Sequence, residues 1–119
     1  MKDFKTLDVW RKAHELTLAV YRVTKTLPKE ELYGLTSQMR RASSSIATNI
    51  AEGCGRRTEA DFSRYLQNAF GSACELEYLL LLTSDLGMLK KPDYDKLSND
   101  TIEVKKMLAA FIRKLNADH

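Results

Sequence analysis

Five arginines are the residues of this chain whose chemistry best suits ligand binding. They are Arg40, Arg41, Arg56, Arg57 and Arg64. A planar guanidinium donates two parallel hydrogen bonds to a phosphate, so these arginines are candidate nucleic-acid-binding residues. In the alternative interpretation they are solvated, or are paired with Glu59 and Asp61. A symmetric oligomer would repeat such a small cluster and so build a stronger basic belt.

Residues for catalysis or metal binding form no recognisable site. Ser43, Ser44 and Ser45 lie mid-helix without an adjacent base, and small residues of this kind favour close helix packing. His14 and His119 belong to no Glu-x-x-His motif of the type that holds di-iron sites in helical bundles. No glycine-rich phosphate loop follows a strand. We therefore predict no catalytic residue, no metal and no cofactor, and we predict that the protein is not an enzyme.

A second set of polar residues is predicted to lie at a helix interface. Asn49 falls on the apolar seam of the second predicted helix, and Glu52 lies three residues further on. A buried asparagine needs hydrogen-bond partners, for which Ser72 and Glu75 on the next helix are candidates. We predict a structural polar network of Asn49, Glu52, Ser72 and Glu75. A functional role for Asn49 and Glu52 stays open at this point.

Four helices must position these side chains. The apolar residues follow helical spacing between glycine and proline positions, which predicts helices over about 7–26, 34–53, 59–85 and 92–115. Thr6 and Thr58 are the expected N-caps of the first and third helices. Each apolar seam keeps a seven-residue repeat, and the connections are short. The pattern predicts one all-α domain over residues 1–119, an antiparallel up-down-up-down four-helix bundle.

Composition places the chain among ordinary globular proteins. It has 119 residues, 44% of them hydrophobic and 29% charged, with a net charge of +3. That mild positive charge permits nucleic-acid binding without requiring it. We predict a cytoplasmic protein with no membrane partner. The chain has only two cysteines, its N-terminus lacks an apolar segment, and its apolar runs are too short to span a bilayer.

Helix 3 carries more large apolar residues than one seam needs. The segment LEYLLLLTSDL, residues 76–86, is apolar most of the way round the helix. The excess either widens the core of a single bundle or forms an interface between subunits. We expect self-association through this helix.

Three segments of the chain resemble a known family. They are FKTLDVWRKAHEL, LPKEELYGLTSQMRRASSSIATNIAEGCGR and FSRYLQNAFGSACELEYLL. Five short sequence motifs are together specific for this family, at residues 33–35, 45–46, 49–53, 71–72 and 75–77. Together they resemble the 23S rRNA-intervening sequence protein family, also labelled S23 ribosomal protein. The resemblance implies a bacterial four-helix bundle that forms a homopentameric ring, with no catalytic residues.

The same resemblance extends distantly to the accessory protein of diversity-generating retroelements. That relative is a basic pentamer that binds nucleic acid and a reverse transcriptase. The resemblance and the arginines together lead us to expect a non-enzymatic homo-oligomer that binds RNA or DNA, or serves as a scaffold. The alternative is an adaptor that docks a protein partner and binds no nucleic acid. An enzyme of unrecognised type is the third possibility.

Overall fold

Four long helices make up the structure, a computed structural model that describes residues 2–117. They are α1 (Asp8–Thr24), α2 (Leu35–Cys54), α3 (Glu59–Asp85) and α4 (Lys91–Ala117). Short 3-10 turns lie at Phe4–Thr6 and Lys29–Glu31. Within residues 2–117 no strand is present. His119, one of the two histidines considered as a metal ligand, lies outside the described residues.

Neighbouring helices run antiparallel. At least two side-chain hydrogen bonds link each helix to the next one along the chain. The linked residues are Thr17–Ser43 and Thr24–Arg40, Ser45–Ser72 and Met39–Thr83, and Ser63–Asn116 and Glu77–Lys105. In every helix pair the residue numbers rise on one helix as they fall on the other. α1 also packs against α4, which closes the bundle. The prediction of an all-α antiparallel four-helix bundle is confirmed.

The core follows the heptad seams of the four helices. The largest side chains with no more than 1% exposure come from every helix, among them Leu16, Met39, Ile46, Leu66, Leu80 and Leu108. Two buried threonines, Thr83 and Thr101, also lie in this core. Each donates its hydroxyl to the carbonyl four residues earlier in its own helix, so neither leaves an unpaired polar group in the apolar interior.

The helix ends agree with the predicted caps at one helix and not at the other. Thr58 caps α3 as predicted, because its hydroxyl accepts a 3.1 Å hydrogen bond from the Asp61 backbone N–H. Thr6 does not cap α1. It lies in the preceding 3-10 turn and donates its hydroxyl to the Asp3 carbonyl. The cap position is Leu7, whose hydrocarbon side chain cannot accept a hydrogen bond. The prediction for Thr6 was wrong because nothing in its residue type distinguishes a cap from a 3-10 turn.

Candidate functional site

Three of the five candidate arginines meet where α2 passes into α3. Arg56, Arg57 and Arg64 are all exposed. The guanidinium of Arg56 lies 4.6 Å from the centre of the Tyr65 ring, and that of Arg64 lies 4.9 Å from the same centre. Arg56 also donates a 2.8 Å hydrogen bond to the Tyr65 hydroxyl. Tyr65 therefore orders two of the cations of this cluster, which we call the α2–α3 arginine cluster (Arg56, Arg57, Arg64).

Close helix packing puts this cluster in place. A Cβ atom at Gly53 would lie 2.9 Å from both Phe62 Cδ1 and Tyr65 Cβ, a separation shorter than real Cβ contacts. Only glycine lets the end of α2 approach the start of α3 so closely. The chain then reverses within four residues, and the Thr58 cap starts α3. The arginines on either side of this turn are thereby brought around one tyrosine.

The other two arginines lie near the opposite end of α2. Arg40 is half-buried: its Nε donates to Thr24 Oγ1 at 2.9 Å, and its guanidinium lies 4.7 Å from the centre of the Tyr21 ring. Arg41 is exposed. Sixteen residues separate Arg40 from Arg56, about 24 Å along a helix. Within one protomer the five arginines thus form two clusters rather than one patch.

A basic cleft adjoins the α2–α3 arginine cluster. It has a volume of about 430 Å³ and lies between the end of α2, the start of α3, the last turns of α4 and the N-terminal segment. Its cationic lining residues are Lys2, Arg56, Arg57 and Lys114. We missed Lys2 and Lys114 in the sequence, because only the closed bundle brings both ends of the chain to the turn after α2. Their spacing along the chain carries no signal of this.

The predicted polar network is smaller in the structure than in the sequence analysis. Asn49 donates to the carbonyl of Ser45 at 2.8 Å and to its hydroxyl at 3.1 Å, and the Ser45 hydroxyl is 2.9 Å from that of Ser72. The network therefore joins Asn49 to Ser72 through Ser45. Glu52 and Glu75 are exposed, and neither hydrogen-bonds to this network within the described residues. The Asn49 amide nitrogen donates both of these hydrogen bonds to Ser45, one turn earlier on the same helix, and not directly to the expected Ser72 or Glu75.

Neither a cluster of metal ligands nor a membrane-spanning helix is present among the described residues. Over residues 2–117, no three histidine, cysteine, aspartate or glutamate side chains lie together as metal ligands would. None of the helices in that range combines the length and the apolar composition needed to cross a bilayer. The buried Cys54 has a raised pKa, chiefly because burial disfavours the thiolate, with Lys2 acting in the opposite direction. Its thiol is therefore neutral at pH 7 and forms part of the apolar lining of the cleft.

The chain is similar to a known protein family and to solved structures. The family described as 23S rRNA-intervening sequence protein matches residues 5–110. A crystal structure from Bacteroides thetaiotaomicron VPI-5482, of a protein with unknown function from the S23 ribosomal protein family, is 28% identical with a TM-score of 0.82. The match covers 87% of this chain and 97% of that one. No curated protein matches the chain.

Proposed function

Because this chain belongs to the 23S rRNA-intervening sequence protein family, we propose that it is a non-enzymatic protein that binds RNA through its exposed arginines. The observation that carries the proposal is the α2–α3 arginine cluster, in which one tyrosine orders two guanidinium groups. An arginine that is already held in place loses less side-chain entropy when it binds a phosphate. The contacts are expected to be mainly with the phosphate backbone, with little reading of base sequence.

Self-association would raise the affinity for RNA. Three large apolar side chains are exposed on α3 and at its C-cap: Tyr78 is 59% exposed, Leu81 44% and Leu86 54%. We propose that a second copy covers this surface in a cytoplasmic homo-oligomer, which the family resemblance predicts to be a pentamer. A ring would repeat each arginine cluster at every subunit and raise the affinity for an extended polyanion. Light scattering tests this, and Leu81→Glu should lower the mass of the oligomer.

Charge reversal tests RNA binding directly. Nuclease-treated protein is titrated with structured RNA and with duplex DNA over a range of salt. We expect Arg56→Glu/Arg57→Glu to weaken RNA binding by about tenfold or more. The slope of the logarithm of the binding constant against the logarithm of the salt concentration should become shallower by roughly one to two. The matched control is Lys90→Glu/Lys106→Glu, which reverses two exposed charges outside the cluster.

The two double variants have the same net charge, so a difference in RNA affinity between them cannot come from net charge. Both lower the formal charge of the chain from +3 to −1. Equal affinities for the two variants would show that the cluster has no special role. An absence of RNA binding by the wild type at low salt would overturn the proposal.

A protein adaptor is the second candidate function. A further apolar surface lies around the end of α1 and the start of α2, where Tyr21 is 42% exposed, Leu32 47% and Tyr33 92%. Exposed apolar groups of this size favour contact with another protein. This candidate would lead if RNA binding failed and a stoichiometric protein co-purified with the chain after nuclease treatment.

A further inference from the structure

The basic cleft has the composition of a site for a phosphorylated small molecule. Its floor is apolar and comes from Leu7, Cys54, Phe111 and Leu115, while its rim carries four cationic side chains and one carboxylate, Glu59. Its volume of about 430 Å³ lies within the range of about 300–1,000 Å³ typical of small-molecule sites. Thr58, just before the start of α3, adds a polar residue to the lining of the cleft.

Three of the rim cations are available to a ligand. The side chains of Lys2, Arg57 and Lys114 are exposed, and none forms a hydrogen bond or an ion pair with another described residue. They come from the N-terminal segment, the turn after α2, and the end of α4. The Lys2 backbone N–H donates a 3.0 Å hydrogen bond to the Cys54 carbonyl, which holds the N-terminal segment at the mouth of the cleft.

An apolar floor beneath a cationic rim selects a ligand with two chemically different ends. A phosphate alone would satisfy the rim and leave the floor uncovered. An uncharged aromatic group would cover the floor and leave the cations unpaired. Phe111 belongs to the floor and packs edge-on against Phe62, with ring centres 5.3 Å apart and planes at 88°. A phenylalanine in this position offers a nucleobase a ring to contact.

We infer that the cleft binds a nucleoside monophosphate, with the phosphate at Arg57 and Lys114 and the base over Phe111. The same chemistry is presented by a free mononucleotide and by the 5′-phosphorylated end of an RNA strand. This inference goes beyond the RNA binding proposed above, because it concerns a terminal phosphate in a cleft, not internal phosphates on an open surface.

Isothermal titration with three probes tests the inference on the full chain. AMP is compared with ribose 5-phosphate, which lacks the base, and with adenosine, which lacks the phosphate. We expect AMP to bind about tenfold more tightly than either. Lys114→Glu should weaken AMP binding by about tenfold or more, whereas Lys106→Glu, a charge reversal elsewhere on α4, should leave it within about twofold. AMP binding no tighter than that of ribose 5-phosphate would overturn the inference.

Oligoribonucleotides then identify the source of the ligand. If the cleft holds a strand end, a 5′-phosphate should raise the affinity of an oligomer about fivefold over the 5′-hydroxyl form, and Lys114→Glu should abolish that gain. If AMP binds but the 5′-phosphate has no effect, the ligand is a free mononucleotide. Failure of AMP to bind, with RNA binding still sensitive to Arg56→Glu/Arg57→Glu, would refute the cleft and leave the proposed function standing.

Discussion

The guanidinium of Arg56 lies 4.6 Å from the centre of the Tyr65 ring, and the same arginine donates a 2.8 Å hydrogen bond to the Tyr65 hydroxyl. Arg64 approaches that ring as well, at 4.9 Å. Each cation–π contact of this exposed kind contributes about 0.5–1 kcal/mol. Tyr65 thus contacts two cations of the proposed site, of which Arg64 also forms a 3.7 Å ion pair with Asp61.

Replacing Tyr65 should weaken RNA binding without unfolding the protein. Tyr65→Leu removes both ring contacts while keeping an apolar side chain, and we expect roughly a three- to tenfold loss of RNA affinity. Tyr65→Phe keeps both ring contacts, so its loss should be at most about twofold. Affinity is measured by fluorescence anisotropy, with Tyr94→Leu on α4 as a control. An unchanged affinity for Tyr65→Leu would exclude Tyr65 as the residue that orders the arginines.

Alanine substitutions at Gly53 and at Gly71 should change the free energy of unfolding in opposite directions. At Gly53 a Cβ would lie 2.9 Å from atoms of Phe62 and Tyr65, so Gly53→Ala should lower the free energy of unfolding by roughly 1–2 kcal/mol. At Gly71 nothing lies within 4 Å of the added carbon, so Gly71→Ala should raise it by about 0.5–1 kcal/mol through helix propensity. Urea unfolding measures both, and a loss of stability in both variants would contradict the packing argument.

The fold was predictable because local rules and the global arrangement agree. The seven-residue apolar repeats predicted which residues form the core, and the cap at Thr58 predicted where α3 begins. α1 ends at Thr24, two residues before the predicted end. These features depend on residues close together in the chain, and periodicity and capping report on them directly.

The arginines of the candidate site could be predicted, but its geometry could not, because that geometry depends on residues far apart in the chain. The arginines were identified by type, but the role of Tyr65 depends on its meeting Arg56 across the turn. The cleft requires Lys2 and Lys114 to meet at one end of the bundle, which follows from the topology of the whole chain. Ser72 and Glu75 were proposed as partners of Asn49, yet the Asn49 amide nitrogen donates to Ser45, four residues away on the same helix.

The two cysteines should differ strongly in reactivity. Cys54 is 3% exposed, and burial raises the pKa of its thiol, so little reactive thiolate forms near pH 8. Cys74 is exposed on α3. In the Leu81→Glu variant, where a second copy no longer covers α3, iodoacetamide at pH 8 should therefore alkylate Cys74 at least about 50-fold faster than Cys54, as followed by intact mass. Cys74→Ser should leave a protein that gains no adduct until it is unfolded, and a rapid second adduct on the folded wild type would contradict the burial of Cys54.

The contact between Lys105 and Glu77 should give stability that depends on pH. Lys105 Nζ donates a 2.7 Å hydrogen bond to the Glu77 carboxylate across α3 and α4, and lies 5.4 Å from the centre of the Phe70 ring. The hydrogen bond to Glu77 raises the pKa of Lys105 above its ordinary value of 10.5, although partial burial acts against it. Since the folded state holds this proton more tightly than the unfolded chain, the contribution is fully present below pH 10.5. It is lost as pH rises through the folded-state pKa.

Lys105→Met tests this, because methionine keeps the apolar contacts but cannot hold the proton. At pH 7 we expect the variant to be less stable by roughly 0.5 kcal/mol, and its melting temperature to fall by about 2–4 °C. The difference from the wild type should persist at pH 9 and shrink above pH 10.5. Lys106→Met, one residue along on the exposed face of α4, should show no such dependence on pH. A difference for Lys105→Met that stays constant to pH 11.5 would assign the loss to packing and not to the ion pair.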